Sequence, residues 1–329
     1  MNIVVCGAGG FIGGHLVKRL LTDGHNVDAY DIKPKEEWFQ VFENAGNFYE
    51  RDLRDPEVTE GVTTVNGEPT HELYQLAADM GGAGYVFIGD HDANIMHNSA
   101  MINLNLAKEI ATNSQMTRVF YSSSACIYPQ ENQMFPDTPN CAEDTAYPAN
   151  PDSEYGWEKL FSERLWTAFA KNYNLTVRIA RLHNIFGPHG SWNDGKEKAP
   201  AAICRKVIQS KKDPNHTVEV WGSGNQTRSF LYIDECIEGV LLLMESDCEE
   251  ILNIGSDEMV TINRLVDIAS RIENIPIYIK NIEGPEGVKG RNSDNKLIAE
   301  KLRWQPSMPL QDGIAKTYYW IKDQIENEL

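Results

Sequence analysis

The sequence predicts an α/β protein, a doubly wound parallel sheet with a smaller C-terminal lobe. Three observations carry that expectation. Apolar strands alternate with helical stretches through the first half, as a parallel sheet requires. A glycine-rich loop sits directly between the first strand and the first helix. After about residue 181 the alternation gives way to a cluster of Gly, Pro, Trp and His between His183 and Pro200.

Taken in order, Asn2 to Cys6 reads as a short buried strand, and Phe11 to Thr22 as an amphipathic helix with Leu16, Leu20 and Leu21 on one side. Val27 to Tyr30 is a second strand ending at Asp31. Further strands are expected at Asn47 to Glu50, Leu73 to Leu76, Arg118 to Ser122 and Thr176 to Ala180. Helices are expected near Ile95 to Thr112 and Tyr155 to Tyr173. Beyond them a helix begins at Pro200 or Ala201, a βαβ-like return runs from Ser229 to Ser246, and a short strand spans Leu252 to Ile254. Asn263 to Glu273 and Leu310 to Glu328 complete the helices. This layout assigns residues 1–180 and a return segment at about 229–255 to the sheet domain, and residues 181–228 and 256–329 to the lobe.

Composition narrows the function classes. With 329 residues, 41% apolar and 24% charged, the chain can bury a large core and is not disordered. The formal charge of −18 disfavours nucleic acid and anionic membranes as partners. A phosphate-bearing ligand therefore needs a local positive pocket. No apolar run reaches the roughly 20 residues of a membrane span. The N-terminus lacks a basic region and reads as a strand, not an export signal. Six cysteines show no CxxC pair and no metal spacing, so reduced thiols in the cytoplasm are expected, with no metal site.

Gly7-Ala8-Gly9-Gly10-Phe11-Ile12-Gly13 has the spacing GxxGxxG, not the literal dinucleotide fingerprint, because Ile12 stands where a glycine is usual. Its place between strand and helix lets backbone amides of this loop, including those of Phe11 and Ile12, hold a pyrophosphate. Asp31 ends the second strand where a carboxylate accepts hydrogen bonds from an adenosine ribose and repels a 2′-phosphate, which favours NAD. Lys33 nearby weighs the other way. Asp52, after the third strand, is a candidate border of the adenine, with a solvated loop carboxylate as the alternative.

Tyr155 and Lys159 stand four residues apart on one helix face. A neighbouring ammonium and the cationic nicotinamide ring both favour phenolate, so Tyr155 becomes a usable base. Ser124, beyond the strand Arg118 to Ser122, can hydrogen-bond the same substrate hydroxyl. On a lone helix the Tyr–Lys pair would be ordinary surface chemistry; the glycine loop and the serine run give it meaning.

The glycine loop, Ser122-Ser123-Ser124, Tyr155 with Lys159, the run Arg181 to Pro188 and the run Gly222 to Phe230 together resemble the extended short-chain dehydrogenase/reductase family, in the family's order. The resemblance implies a Rossmann-type domain, tightly held NAD and a nucleotide-sugar substrate in the C-terminal lobe. Four further segments sharpen it: Ala77 to Gly82, Ser124 to Pro129, Gly195 to Ala202 and Glu286 to Asn295. They resemble the branch that inverts a nucleotide sugar, GDP-mannose first, at both carbons beside a transient ketone. Gly14 departs from that branch, where Ser is usual, and is conservative in size.

On that resemblance Ser124, Tyr155 and Lys159 serve the redox step, while Cys126 and Lys198 are the base and acid that invert the neighbouring carbons. Strand alternation places Cys126 on the same side as Ser124. A cysteine at a strand end is also commonly inert core, and a loop lysine commonly solvated. Asn184, Lys206, Gln226, Arg228 and Arg291 are the family-matched contacts to nucleotide and diphosphate. For Arg228 and Arg291 a domain-bridging salt bridge is the alternative. Gly81, Gly82 and Gly84 let their loop approach the sugar, and Glu197 positions Lys198 or a sugar hydroxyl. His183 reads as packing, and Trp221 with Tyr318, Tyr319 and Trp320 as core. The family resemblance also implies a homodimer through the helix near Ile95 to Thr112. Competing readings are a 4-epimerase on the same fold and a non-catalytic NAD sensor. A dehydratase is disfavoured because Ala125 and Cys126 stand where its acid belongs.

Overall fold

The computed structural model describes residues 1–42, 47–113, 115–116, 118–284 and 286–327. Its main sheet has seven strands: β1 (Asn2–Cys6), β2 (Asn26–Asp31), β3 (Phe48–Glu50), β4 (Glu72–Gln75), β5 (Arg118–Ser124), β6 (Thr176–Leu182) and β7 (Leu252–Ile254). They lie in the order β7-β6-β5-β4-β1-β2-β3, and every pairing is parallel. The order reverses between β1 and β4, and a crevice for ligands opens at such a switch point beyond the strand ends. The strands are almost continuously buried because both faces are covered, although β2 and β5 carry polar residues such as Asp28, Asp31 and Ser122 to Ser124.

The first helix, Phe11–Thr22, agrees with the sequence expectation at both ends. It buries Gly13, Leu16, Val17 and Leu20 against the sheet, and Arg19 in its last turn pairs with Asp23 at 2.8 Å. The helix Glu154–Tyr173 is capped by Ser153, whose side chain accepts from the Gly156 amide, and ends at Asn174 in the left-handed conformation. The helix expected from Ile95 begins earlier, at Asp92, and runs to Asn113. The C-terminal helix spans Leu310–Asn327; Glu328, assigned to it from sequence, lies outside the described residues.

The C-terminal half adds small sheets between distant segments. Thr217–Trp221 pairs in parallel with Tyr278–Ile282. Thr227–Ser229 lies between antiparallel Met259–Thr261 and parallel Gly290–Arg291. The largest apolar cluster joins Leu16 and Leu20 of the first helix to Ile203, Val207, Leu265 and Tyr318 of later helices. His183 is fully buried, donating or accepting through Nε2 to Asn253 at 2.9 Å, and burial pushes its pKa down to about 3. It is a packing residue, as expected. Trp221 and Tyr319 are not core: they are 38% and 48% exposed. Among the described residues no helix is long and apolar enough to cross a membrane.

One buried ion pair ties the sheet to a covering helix. Arg181 on β6 donates Nε and Nη2 to Glu163 of the Glu154–Tyr173 helix at 3.0 and 2.9 Å. The Ser123 hydroxyl of β5 donates to the same carboxylate, and Arg181 reaches the Glu143 carbonyl. Both side chains are under 5% exposed. Removing one partner of such a pair leaves an uncompensated buried charge. Arg181→Met is therefore expected to cost about 3–5 kcal/mol of unfolding free energy in urea titration, and Arg181→Met with Glu163→Leu to recover most of it.

Candidate active site

The glycine loop follows β1 and is bound to its neighbour strand. The amides of Gly7 and Ala8 donate to the Tyr30 carbonyl at 2.8 and 3.0 Å. Gly7 has φ +81°, and a Cβ at Gly13 would lie 2.1 Å from the Gly7 carbonyl oxygen. Only glycine permits this turn and this approach. The helix that follows has Gly10 at its N-cap with no side-chain cap, and its first intrahelical bond runs from Gly14 to Gly10. The amides ahead of that bond, those of Phe11, Ile12 and Gly13, face outward with no intrahelical acceptor. A pyrophosphate fits this end.

Asp31 is buried beside the loop. Its Oδ2 accepts from the Gly9 amide at 2.9 Å and its Oδ1 from the Lys33 amide at 3.0 Å. Each oxygen keeps acceptor capacity for a ribose hydroxyl. The Lys33 ammonium lies over the Phe39 ring at 5.8 Å. Asp52 forms an ion pair with Arg54 at 2.6 Å, and Arg54 donates on to Asn98. Asn98 and Tyr85 both donate to Asp79, so a polar chain links the loop after β3 to the loop after β4. Arg54, Asp79, Tyr85 and Asn98 carried no signal of this network, because each is an ordinary polar residue in sequence.

Ser124 is the last residue of β5, and the chain then turns through a 3₁₀ segment, Ala125–Ile127. Cys126 is thus placed by that turn, not by strand alternation: its amide donates to Ser124 Oγ at 3.2 Å. Tyr155 sits in the first turn of the Glu154–Tyr173 helix, pressed close because a Cβ on Gly156 would meet the Cys126 carbonyl at 2.2 Å. Ser124 hydrogen-bonds the Tyr155 hydroxyl. Lys159 donates to the Ser122 carbonyl at 2.8 Å and lies 5.8 Å from the centre of the Tyr155 ring.

The chain alone does not favour phenolate, contrary to the sequence expectation. Burial pushes the Tyr155 hydroxyl well above its usual range, Cys126 adds to this, and the Ser124 hydrogen bond and Arg291 oppose it. Burial also lowers Lys159. Lys198 stands at the N-cap of the helix Ala199–Ser210, half-buried, and its ammonium makes no hydrogen bond to a described residue. Burial lowers its pKa, against the opposing pull of Cys126 and Cys236. Of the cations named from sequence, Arg291 touches the Cys126 sulfur, while Lys159, Lys198 and Arg228 interact with it electrostatically from farther off.

The remaining residues named from sequence line the same region with specific partners. Arg291 donates to Cys126 Sγ at 3.0 Å, to Gln133 at 2.6 Å and to Asp152 at 3.0 Å. For Arg291 the ion-pair alternative is therefore what the structure holds. Arg228 makes no ion pair; it donates to the carbonyls of Thr227, Glu286 and Val288, and burial lowers its pKa to about 10. Asn184 donates to the Ser229 carbonyl, Lys206 to the Glu219 carbonyl and Gln226 to the Trp221 carbonyl. Glu197 pairs with Arg205 at 2.6 Å, and its other oxygen is buried without a partner. The glycines of the loop after β4 serve close packing within the protein. A Cβ on Gly82 would meet the Glu197 carbonyl at 2.3 Å, one on Gly81 the Tyr85 ring, and one on Gly84 the Trp221 ring. Asp152, Gln133 and Arg205 were missed: the first reads as a helix-start acid, and nothing local marks the other two.

Residues 3–255 match the model of the NAD dependent epimerase/dehydratase family. The chain is 46% identical over 329 residues to GDP-mannose 3,5-epimerase 1 of Oryza sativa subsp. indica, covering 100% of this chain and 83% of that protein. It is likewise 46% identical over 333 residues to GDP-mannose 3,5-epimerase of Arabidopsis thaliana, covering 100% and 84%. Among solved structures it resembles UDP-glucose 4-epimerase of Thermotoga maritima, crystallised with UDP-glucose, at a TM-score of 0.85 and 25% identity over 99% of this chain and 100% of that one.

The lowered pKa of Lys198 has a sign that can be tested. Between its folded value and the ordinary 10.5, the unfolded chain holds more protons, so stability rises with pH across that window. Lys198→Met is expected to flatten part of this alkaline rise and to leave stability at neutral pH equal to or above the parent's. Lys159, lowered in the same direction, retains its share. Urea unfolding from about pH 7 to pH 10 measures both.

Proposed function

The chain belongs to the NAD dependent epimerase/dehydratase family, and from that premise we propose that it epimerises GDP-mannose at the sugar 3- and 5-positions. The product is GDP-L-galactose, or GDP-L-gulose when only the 5-position inverts. The observation that carries this reading is Cys126 set beside Ser124 and against the helix turn that bears Tyr155 and Lys159, with Arg291 on its sulfur; Lys198 joins them in the proposal. Identity of 46% to plant GDP-mannose 3,5-epimerases across the whole chain supports the substrate.

The cofactor is NAD. Gly7, Gly10, Phe11, Ile12 and Gly13 would hold its pyrophosphate and Asp31 its ribose; Asp52 stands near the adenine end. The packing of Lys33 over Phe39 supports NAD over a 2′-phosphorylated form. Held by these residues, NAD would supply the acceptor for the hydride of the sugar 4-carbon and the donor for its return. Tyr155 takes the proton of the 4-hydroxyl as that carbon becomes a ketone, with Lys159 and Ser124 orienting the exchange. The protons on the flanking carbons are then acidic, because the enolate spreads its charge onto the ketone oxygen. Cys126 removes one of them, and Lys198 supplies one to the opposite ring face. A guanidinium N–H against the Cys126 sulfur stabilises negative charge there. Gly81, Gly82, Gly84, Asn184, Glu197, Lys206, Gln226, Arg228 and Arg291 complete the nucleotide-sugar pocket, formed by the lobe of residues 181–228 and 256–329 over the sheet domain.

Deuterium oxide tests the reading. Incubation with GDP-mannose is expected to place deuterium at the 3- and 5-positions of recovered sugar, read by NMR and mass spectrometry. Inversion at the 4-position without deuterium would transfer the protein to the 4-epimerases, and no turnover despite bound NAD would make it a sensor. Tyr155→Phe is expected to slow turnover by about 10²–10⁴-fold. Cys126→Ala is expected to keep hydride transfer and lose deuterium exchange.

The free state of all six cysteines supports a cytoplasmic enzyme. A homodimer is supported by the packed helices Asp92–Asn113 and Glu154–Tyr173, which present Leu104, Trp157 and Phe161 outward. Leu104→Glu with Phe161→Glu is expected to halve the mass measured by light scattering after gel filtration.

A further inference from the structure

Arg291 is held in one orientation by three acceptors from three separate segments. Its Nε meets Gln133 in the segment after β5, its Nη1 meets Cys126, and its Nη2 meets Asp152 in the loop before the Glu154–Tyr173 helix. Both members of the Arg291–Asp152 pair are 5% exposed. A planar guanidinium bound through three different nitrogens can neither rotate nor slide without losing a bond.

Asp152 has no second job in view. Its other oxygen, Oδ1, is buried without a hydrogen-bond partner. The helix that follows is capped by Ser153, not by Asp152. A carboxylate kept to start a helix would accept from helix amides; among the described residues this one accepts only from Arg291. The hydrogen bond it accepts comes from Arg291, so what Asp152 does is read from its effect on that guanidinium. That partner touches the Cys126 sulfur directly, at 3.0 Å.

We propose that Asp152 is a positioning residue for the chemistry at Cys126. Its carboxylate fixes the Arg291 guanidinium against the sulfur and offsets part of the positive charge the sulfur feels. The inference rests on the reading that Cys126 moves a proton of the sugar. It separates two steps that share the site: the redox step belongs to Ser124, Tyr155 and Lys159, and Asp152 acts only on the inversion that follows.

The test uses Asp152→Asn, which keeps size and removes charge, in the NAD-loaded enzyme. Deuterium incorporation from GDP-mannose is expected to fall by about ten- to a hundredfold, while hydride transfer, followed by nicotinamide absorbance, stays within about threefold. In the enzyme without sugar, alkylation of Cys126 by iodoacetamide is expected to quicken by about threefold or more, since the guanidinium charge then bears on the sulfur uncompensated. Peptide-resolved mass spectrometry reads Cys126 apart from the five buried cysteines, whose protection reports an intact fold. Asp152→Glu is expected to restore the alkylation rate but not the exchange. Adding Asp152→Asn to Arg291→Ala is expected to change neither readout further. Exchange within about twofold of the parent, additive loss in the double variant, or an alkylation rate unchanged or slower would overturn the proposal. If the parent enzyme exchanges no deuterium with GDP-mannose, the proposed function fails by itself, and the alkylation rate still decides the role of Asp152.

Discussion

One buried guanidinium ties the strand at Gly290–Arg291 to the segments that follow β5. Arg291 comes from a two-residue strand that pairs with Thr227 and Arg228, so its backbone belongs to the lobe. Its side chain ends on Gln133, Cys126 and Asp152, which belong to the segments around β5 and the helix beside it. A charge this deeply buried is tolerable only if every donor is matched, and the matching fixes the distance between the two halves.

The same economy of charge explains how an acidic chain builds a site for a phosphate-bearing ligand. The formal charge is −18, yet Arg291 is buried against the Cys126 sulfur and Lys159 is buried in the helix beside it. Acids accompany them, Asp152 on Arg291 and Glu158 beside Lys159, and others are locked in pairs such as Glu163 with Arg181. Arg181 serves stability, because both its acid and its hydroxyl partners are internal and complete. Arg291 differs in that one of its partners is a thiol that is only partly buried.

Burial sets the protonation of the site before any ligand enters. It raises Tyr155 and lowers Lys159 and Lys198, in each case toward the neutral form. A dry cleft also strengthens every charge brought into it. A cation brought close to the Tyr155 hydroxyl would oppose that burial. The sequence placed Tyr155 and Lys159 on one helix face correctly, but the balance between burial and charge could not be read from four-residue spacing.

What the sequence by itself determined is what local repetition encodes. Strand and helix periodicity marked the main-sheet strands to within about two residues and the helix Phe11–Thr22 at both ends. The glycine spacing marked the loop, because a turn of that tightness excludes side chains. Only the tertiary structure decided the rest. Thr217–Trp221 pairs with Tyr278–Ile282 across some sixty residues, and short strands of that kind leave no periodic trace. Cys126 lies in a turn that begins where the strand stops, so alternation could not place it. Asp152 looks like any acid at a helix start, and its meaning comes from an arginine 139 positions later in the chain. A charge acts through space, and the order of residues along a chain does not record which charges meet.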